Sequence, residues 1–360
     1  MQSFVDAERT FAGQPARLGG RLARLDVGRG REEMFRDQLP ELLRTLAEET
    51  RVASITASNA IEGVTVAADR AEVLATPGKE RRLRNRNERE FAGYRDAIDE
   101  IMHADKLEPI SLPYMLHLHR QLFRYTDEPG GQLKTESNQI GSYERGHLEI
   151  VFEPPPPNRT EHLLRELVDR YDTAMRDEIA HPVVLVGAFV LDFLAIHPVK
   201  DGNGRLARLL TTHLLLQHGY GVMRFVSVEQ RIFDAKWGYY AALRESQAGW
   251  HEAKHEIWPW LTYLVAILGE AYDDFEARIS ARRNLSGMSK QARVREYVLK
   301  HTAETVRMRE IRRALPGVSD QTIRLVLGQL RNEGLIALDP HIGTRGRQAA
   351  WRRNERKRTP

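Results

Sequence analysis

The chain has 360 residues, long enough for two or three domains with a real core. Charged residues make up 29% and apolar ones 41%, the balance of an ordinary globular protein, and the net charge is only +4. There is no cysteine, which excludes disulfides and thiolate metal sites and fits a reducing compartment.

The opening "MQSFVDAERTFAGQPARLGG" lacks the apolar core of a signal peptide. The stretch "MFRDQLPELLRTLAEETRVASITASNAIEG" carries Leu43, Leu46, Ala53, Ala57 and Ile61 at helical spacing and predicts a helix that stops at Gly63. Glu62 is odd there: a carboxylate in the last turn opposes the helix dipole and calls for a cation. "REFAGYRDAIDEIMHA", "SLPYMLHLHRQLFR" and "HLLRELVDRYDTAMRDEI" read as further amphipathic helices. Between the last two, "YERGHLEIVF" predicts a hairpin turning at Arg145-Gly146, followed by the stiff run Pro154–Pro157. "PVVLVGAFVLDFLAI" is apolar nearly all round and belongs at the centre of a helical bundle. "IWPWLTYLVAILGEAYDDFEARISARR" closes that bundle; its apolar run is too short to span a bilayer and contains Pro259. A cytoplasmic protein with no membrane partner is expected. The polar stretch "SARRNLSGMSK" predicts a domain boundary near residues 285–288.

Chemistry concentrates in "IHPVKDGNGRLARLL", residues 196–210. Pro198 ends the buried helix at His197. Gly202 and Gly204 permit tight turns, and a new helix starts near Asn203 with its unpaired N–H groups pointing into the turn. Those groups and the helix dipole make an anion site. Arg205 and Arg208, three apart, add two guanidinium forks, which suits a di- or triphosphate better than one carboxylate. Asp201 at the edge is suited to hold Mg²⁺ bridging phosphate oxygens. His197 is the group that titrates near neutral pH and is suited to take a proton from an attacking hydroxyl. These residues describe a nucleotide site with its own base.

His197, Pro198, Asp201, Gly202, Asn203, Gly204, Arg205 and Arg208 resemble the signature H-P-F-x-D-G-N-G-R-x-x-R of the Fic family, with Val199 where Phe is usual. The resemblance, over roughly residues 30–285, implies a protein adenylyltransferase that moves AMP from ATP to a Ser, Thr or Tyr hydroxyl. It implies His197 as base, Asp201 as Mg²⁺ ligand, Gly202, Asn203 and Gly204 as the phosphate cradle, and Arg205 and Arg208 on the outer phosphates. The kinase-like branch carries Lys where Gly202 stands. "SNAIEG", with Ser58 and Glu62, resembles the family's inhibitory motif [ST]-x-x-x-E-[GN], which implies a class with an N-terminal inhibitory helix whose Glu62 occupies Arg208. The hairpin resembles the family's flap, which implies that Gly141, Ser142 and Tyr143 align an extended target; Lys134 stands where Arg is common. "KWGYYAAL" resembles R-x-x-Y-Y-x-x-L, which implies Tyr239 and Tyr240 on the adenine side, with Lys236 in place of Arg.

"HEAKH", His251–His255, satisfies the zinc pattern H-E-x-x-H, but no third ligand is evident and its flanks read as a loop or helix start. His213 and His218 read as packing or surface histidines. After the boundary, "QARVREYVLKHT", "RMREIRRAL" and "SDQTIRLVLGQLRNEGLI" predict three helices, and "ALDPHIGTRGRQAAWRR" a basic wing. The pattern resembles a winged helix-turn-helix. Gln321, Thr322, Arg324 and Gln329 are then the polar positions of the third helix, and Arg345, Arg347, Arg352 and Arg353 favour phosphate contact. A module of the same fold that docks protein is the alternative.

The expected architecture is all-α. Residues 1–100 form an N-terminal helical region with an inhibitory helix over about 40–63. Residues 101–285 form a Fic-type helical bundle with a β-hairpin flap at 139–153 and the motif at 197–208. Residues 288–350 form a winged helix and 351–360 a basic tail. ATP and Mg²⁺ are the expected small molecules, a protein target (the chain itself included) and DNA the expected macromolecules, and a homodimer is an open assembly. Two rival functions fit the same residues: removal of AMP from a protein, with Glu62 orienting water, and a DNA-binding regulator whose core senses ATP.

Overall fold

The computed structural model describes residues 2–76, 83–144, 147–286, 289–300, 305–315, 317–339 and 350–354. The chain divides into two compact units, Met1–Phe275 and Glu276–Pro360.

The first unit opens with α1 (Ala7–Ala12), α2 (Ala16–Gln38), α3 (Pro40–Ile61) and α4 (Ala68–Leu74). The single helix expected from Met34 to Gly63 is therefore two helices. Pro40 sits at the first position of α3, and Leu39 before it takes φ −135°, outside the helical region. A proline disfavours helical geometry in the residue before it, so α2 stops at Gln38 while Pro40 starts α3 at no cost in hydrogen bonds. Next come α5 (Arg86–His103) and α6 (Leu112–Leu122), each capped at its N-terminus by a side chain, Asn85 and Ser111. The antiparallel hairpin follows, β1 (Ile140–Glu144) with β2 (His147–Phe152); Gly141 faces Ile150, and the register shifts between Ile140 and Gly141. The expected turn, Arg145-Gly146, lies outside the described residues.

The bundle proper is α7 (Pro157–Arg176), α8 (Pro182–Ile196), α9 (Asn203–Gln217), α10 (Val228–Asp234), α11 (Lys236–Gln247) and α12 (Trp258–Ser286). Every residue of α8 from Val183 to Ile196 is buried, as its unbroken apolar sequence requires. It packs between α7 and α9, while α3, α5 and α6 pack on α9. Helix α3, which carries Ser58, and α9, which carries Arg205 and Arg208, are thus direct neighbours. No helix among the described residues is long and apolar enough to cross a membrane.

The boundary between the units falls within α12, upstream of the polar stretch expected to mark it. A helix keeps its own backbone hydrogen bonds whichever unit its side chains pack on, so composition alone misplaces such a boundary. The second unit runs α13 (Lys290–Lys300), β3 (Thr305–Arg307), α14 (Met308–Ala314), α15 (Asp320–Asn332), β4 (Ile336–Leu338) and β5 (Ala350–Arg353). Its antiparallel sheet has the order β3-β5-β4. Val294, Val298, Ile311, Ile323, Leu327 and Leu330 form its core. Ser319 caps α15, accepting from the Thr322 N–H at 3.2 Å. The short strand β3 was not expected from the sequence.

Candidate active site

The loop joining α8 to α9 is built from backbone strain held by side-chain amides. His197 caps α8 in the left-handed conformation, φ 49°, and its N–H still donates to the Phe193 carbonyl at 3.0 Å. For a residue with a Cβ this backbone is costly and persists only where neighbours over-determine it. Here they do. The buried Asn203 accepts from the Val199 N–H at 3.0 Å and donates to the Val199 carbonyl at 2.7 Å, closing the loop on itself. Asn138 donates to the His197 and Val199 carbonyls at 3.1 and 3.0 Å. The Lys134 ammonium donates to the Ile196 carbonyl at 3.0 Å and to Asn138 at 2.9 Å, and burial brings its pKa down to about 8. The Val199 side chain is buried.

These contacts aim His197. Its Nδ1 lies 3.2 Å from the Leu194 carbonyl, which can only accept, so Nδ1 carries the hydrogen and Nε2 is left with a free lone pair. Burial drives its pKa down to about 4, against the raising effect of the Leu194 carbonyl. The imidazole is neutral at physiological pH, the form a general base needs.

Opposite stands the first turn of α9. Gly202 has φ 84°, and a Cβ there would come within 2.9 Å of the Phe123 ring. Asp201 accepts from the Gly202 N–H at 2.6 Å and keeps its other oxygen toward Arg86, 3.4 Å away; its side chain is 56% exposed. Arg205 and Arg208 are buried, and each already holds a carboxylate. Arg205 donates to Glu90 at 2.6 Å and lies over the Phe123 ring. Arg208 donates to the Ser58 hydroxyl, to the Ser58 carbonyl and to Glu62, each at 2.8 Å. Burial is the largest influence on the Arg208 pKa and works to lower it, but the Glu62 carboxylate together with Tyr239 and Tyr94 outweighs it and holds the guanidinium charged, its pKa above the ordinary value. Glu62 also covers Gly204: a Cβ on Gly204 would lie 2.2 Å from the Glu62 Oε1. A carboxylate therefore rests on the N-terminal turn of α9, where an anion is favoured.

The other residues singled out in the sequence take these places. The side-chain amide of Asn203 closes the loop, accepting from the Val199 N–H and giving one of its two N–H donors to the Val199 carbonyl. Of the tyrosine pair, Tyr239 is buried against Trp260 and Tyr263, whereas Tyr240 is 42% exposed. Gly141, Ser142 and Tyr143 lie on β1. In "HEAKH", His251 reaches the Glu153 carbonyl at 2.8 Å and His255 the Ser3 hydroxyl at 2.9 Å, from a 3₁₀ turn (Trp250–Glu252) and the loop after it, not from one helix. His213 is buried on Tyr114 and the Glu108 carbonyl, and His218 meets the Tyr171 hydroxyl. On α15, Gln321 and Arg324 are exposed and the Thr322 hydroxyl is tied to Ser319. Arg345 and Arg347 lie outside the described residues, and Arg353 donates to the Leu299 carbonyl.

Sequence reasoning missed the supports. Glu90 anchors both Arg205 and Arg86. His119 accepts from the Gly131 N–H and so donates from Nε2 to the Asp201 carbonyl at 3.1 Å, neutral because burial lowers its pKa to about 4. Both sit mid-helix among ordinary polar residues, and no local signal separates them from surface positions.

The model of the Fic/DOC family matches residues 109–215. A probable protein adenylyltransferase of Aquifex aeolicus is 27% identical over 144 residues, 40% of this chain and 39% of that protein. The protein adenylyltransferase Fic of Drosophila melanogaster is 31% identical over 112 residues, 31% of this chain and 21% of its own length. The chain thus spans well under half of these relatives. A Fic family protein from Desulfovibrio desulfuricans shares the fold with a TM-score of 0.58 at 20% identity, over 96% of this chain and 98% of that one. Fic-1 from C. elegans does so with a TM-score of 0.53 at 21% identity, over 73% and 72%. With its left-handed histidine, its glycine turn and its two buried arginines, the segment 109–215 carries a domain of the Fic/DOC family.

Proposed function

We propose that the chain is a protein adenylyltransferase, held back by Glu62. One observation carries the reading: a neutral histidine with a bare Nε2 stands beside a helix N-terminus flanked by two buried arginines. The relatives named protein adenylyltransferases support it. His197 Nε2 takes the proton from a Ser, Thr or Tyr hydroxyl of a protein target. That oxygen attacks the α-phosphorus of ATP, the bond to the bridging oxygen breaks, and pyrophosphate leaves. The N–H groups of Asn203 and Gly204 face the α-phosphate, and Arg205 and Arg208 the outer phosphates. Tyr240 borders the adenine side. Arg208 becomes available only when Glu62 withdraws.

Asp201 suits Mg²⁺: a half-exposed hard oxygen donor at the edge of a phosphate turn matches the sparse protein ligation this ion prefers. When bound, the ion neutralises phosphate charge. Arg86 must leave Asp201 for that.

The free edge of the hairpin can take an extended target segment by backbone hydrogen bonds, with Gly141, Ser142 and Tyr143 on that strand. The chain itself is a candidate target and a second copy a candidate partner. The order of helices and strands in the second unit supports a winged helix that presents Gln321 and Arg324 to DNA. The test is incubation with ATP followed by mass spectrometry: an AMP adduct on a Ser, Thr or Tyr supports the reading, and its absence even from Glu62→Gly with candidate targets present overturns it.

A further inference from the structure

A cavity of about 690 Å³ opens between α2, α3, α5 and the segment that follows α9. That size lies in the range of small-molecule sites. None of the signature residues lines it. Leu43, Ala47, Ile98, Met102, Leu216 and Phe225 supply a mostly apolar wall.

The charge around it is unbalanced. Arg36, Arg44, Arg51 and Arg224 line the cavity, against Glu48 and Asp99. Three of the arginines are satisfied: Arg51 is paired with Asp99, Arg44 with Glu41 at 2.6 Å, and Arg36 with Glu32 at 2.7 Å. Arg224 is not. It is half-buried, and its recorded partner is the Met102 carbonyl. Glu32, the acid that would serve it, is committed to Arg36, to the Gly221 N–H at 3.1 Å and to the Tyr272 hydroxyl at 3.2 Å. Burial and the neighbouring Arg36 both push the Arg224 pKa down. A desolvated guanidinium without a carboxylate is a costly arrangement that an anion relieves. The wall itself holds a second deficit. Thr50 and Ser54, one turn apart on α3, are buried and their hydroxyls have no hydrogen-bond partner. Their oxygens are closed off from the cavity, so Arg224 is the polar group that the occupant meets.

We propose that this cavity binds a small amphipathic carboxylate, its head group on Arg224 and its hydrocarbon body against Leu43, Ala47 and Ile98. The choice of head group follows from the count of free donors. One unpaired fork matches one carboxylate, whereas a di- or triphosphate needs several. The choice of body follows from the wall, which offers hydrocarbon and no aligned row of polar partners.

The test uses the full chain, decanoate below its micelle concentration, and titration calorimetry. Decanoate should bind saturably at one site. Decanol, which lacks the charge, and acetate, which lacks the body, should each bind at least about tenfold more weakly, since a charge-assisted contact and a buried tail are each worth that much. Arg224→Gln, which keeps a donor for Met102, should weaken decanoate about tenfold or more. Ala47→Phe, at a half-buried position, should abolish binding by filling the space. Arg165→Gln, an exposed arginine of α7 that does not line the cavity, should bind as the parent does. The proposal is overturned if the parent chain shows no saturable binding, if decanol matches decanoate, or if Arg224→Gln binds with unchanged affinity.

Discussion

Replacing Glu62 by glycine should release the site, and the structure sets the size of the effect. Arg208 is held by three bonds of 2.8 Å, of which Glu62 supplies one and Ser58 two. A charge-assisted bond in a sheltered cleft is worth roughly 1.5–3 kcal/mol. Glu62 is 32% exposed at its side chain, so water screens part of this and the lower end applies. About 1.5 kcal/mol corresponds to roughly a tenfold change in the population able to bind ATP productively. Glu62→Gly also uncovers Gly204 and the α9 N-terminus, while Arg208 stays in place on Ser58. Transfer of label from α-labelled ATP to protein should therefore rise by about one order of magnitude. Adding Arg208→Ala to Glu62→Gly should erase the gain, because the freed arginine is what the first change releases. If Glu62→Gly lowers turnover, or if the double variant keeps the gain, Glu62 is no lock.

The acid limb of kcat/KM should lie near the pKa of about 4 that burial imposes on His197, not near the ordinary 6.5, because the reactive form is the neutral one and persists down to that value. Stability should follow the same groups. His197 and His119 are both held neutral in the fold with pKa values of about 4, so the unfolded chain binds more protons below about pH 6.5. Each histidine thus contributes stability that is present above that pH and lost as pH falls toward 4, at up to about 1.4 kcal/mol per pH unit, and urea midpoints at pH 7 and 5 read the loss. Gly202→Ala should lose transfer, since φ 84° disfavours a Cβ and the Phe123 ring stands in its way; unchanged transfer would contradict the strained-loop account. Ending the chain after Ser286, where α12 closes, should leave adenylyl transfer intact and remove any salt-dependent DNA binding, measured by fluorescence anisotropy.

The signature segment was legible because its spacing is local. Two glycines, two arginines three apart and a His-Pro fall within a single turn and its helix, and local geometry follows directly from such spacing. The oddity of Glu62 was legible for the same reason, as a charge set against its helix dipole; its partner, Arg208, came from the resemblance to a family. Glu90 and His119 were not legible. Each acts across the fold on a residue more than eighty positions away, Glu90 on Arg205 and His119 on the Asp201 carbonyl, and the sequence around each is that of any amphipathic helix. The loop-closing contact of Asn203 was not legible either: its side chain bonds the Val199 backbone four residues earlier, and one N–H of the amide remains over. The break at Leu39 shows a local rule overlooked: Pro40 inside an apolar repeat starts a helix as readily as it interrupts one.

The most direct measurement compares the parent chain with His197→Ala, each carrying Glu62→Gly, for label retained on protein from α-labelled ATP, with ATP binding followed in parallel. Removal of a general base costs about 10²–10⁴-fold, and the base acts on the target hydroxyl rather than on the nucleotide. The account predicts transfer reduced by that factor, ATP binding within a few-fold, and no label from γ-labelled ATP in either protein. Equal transfer by the two proteins, or label arriving from the γ-phosphate, would contradict it.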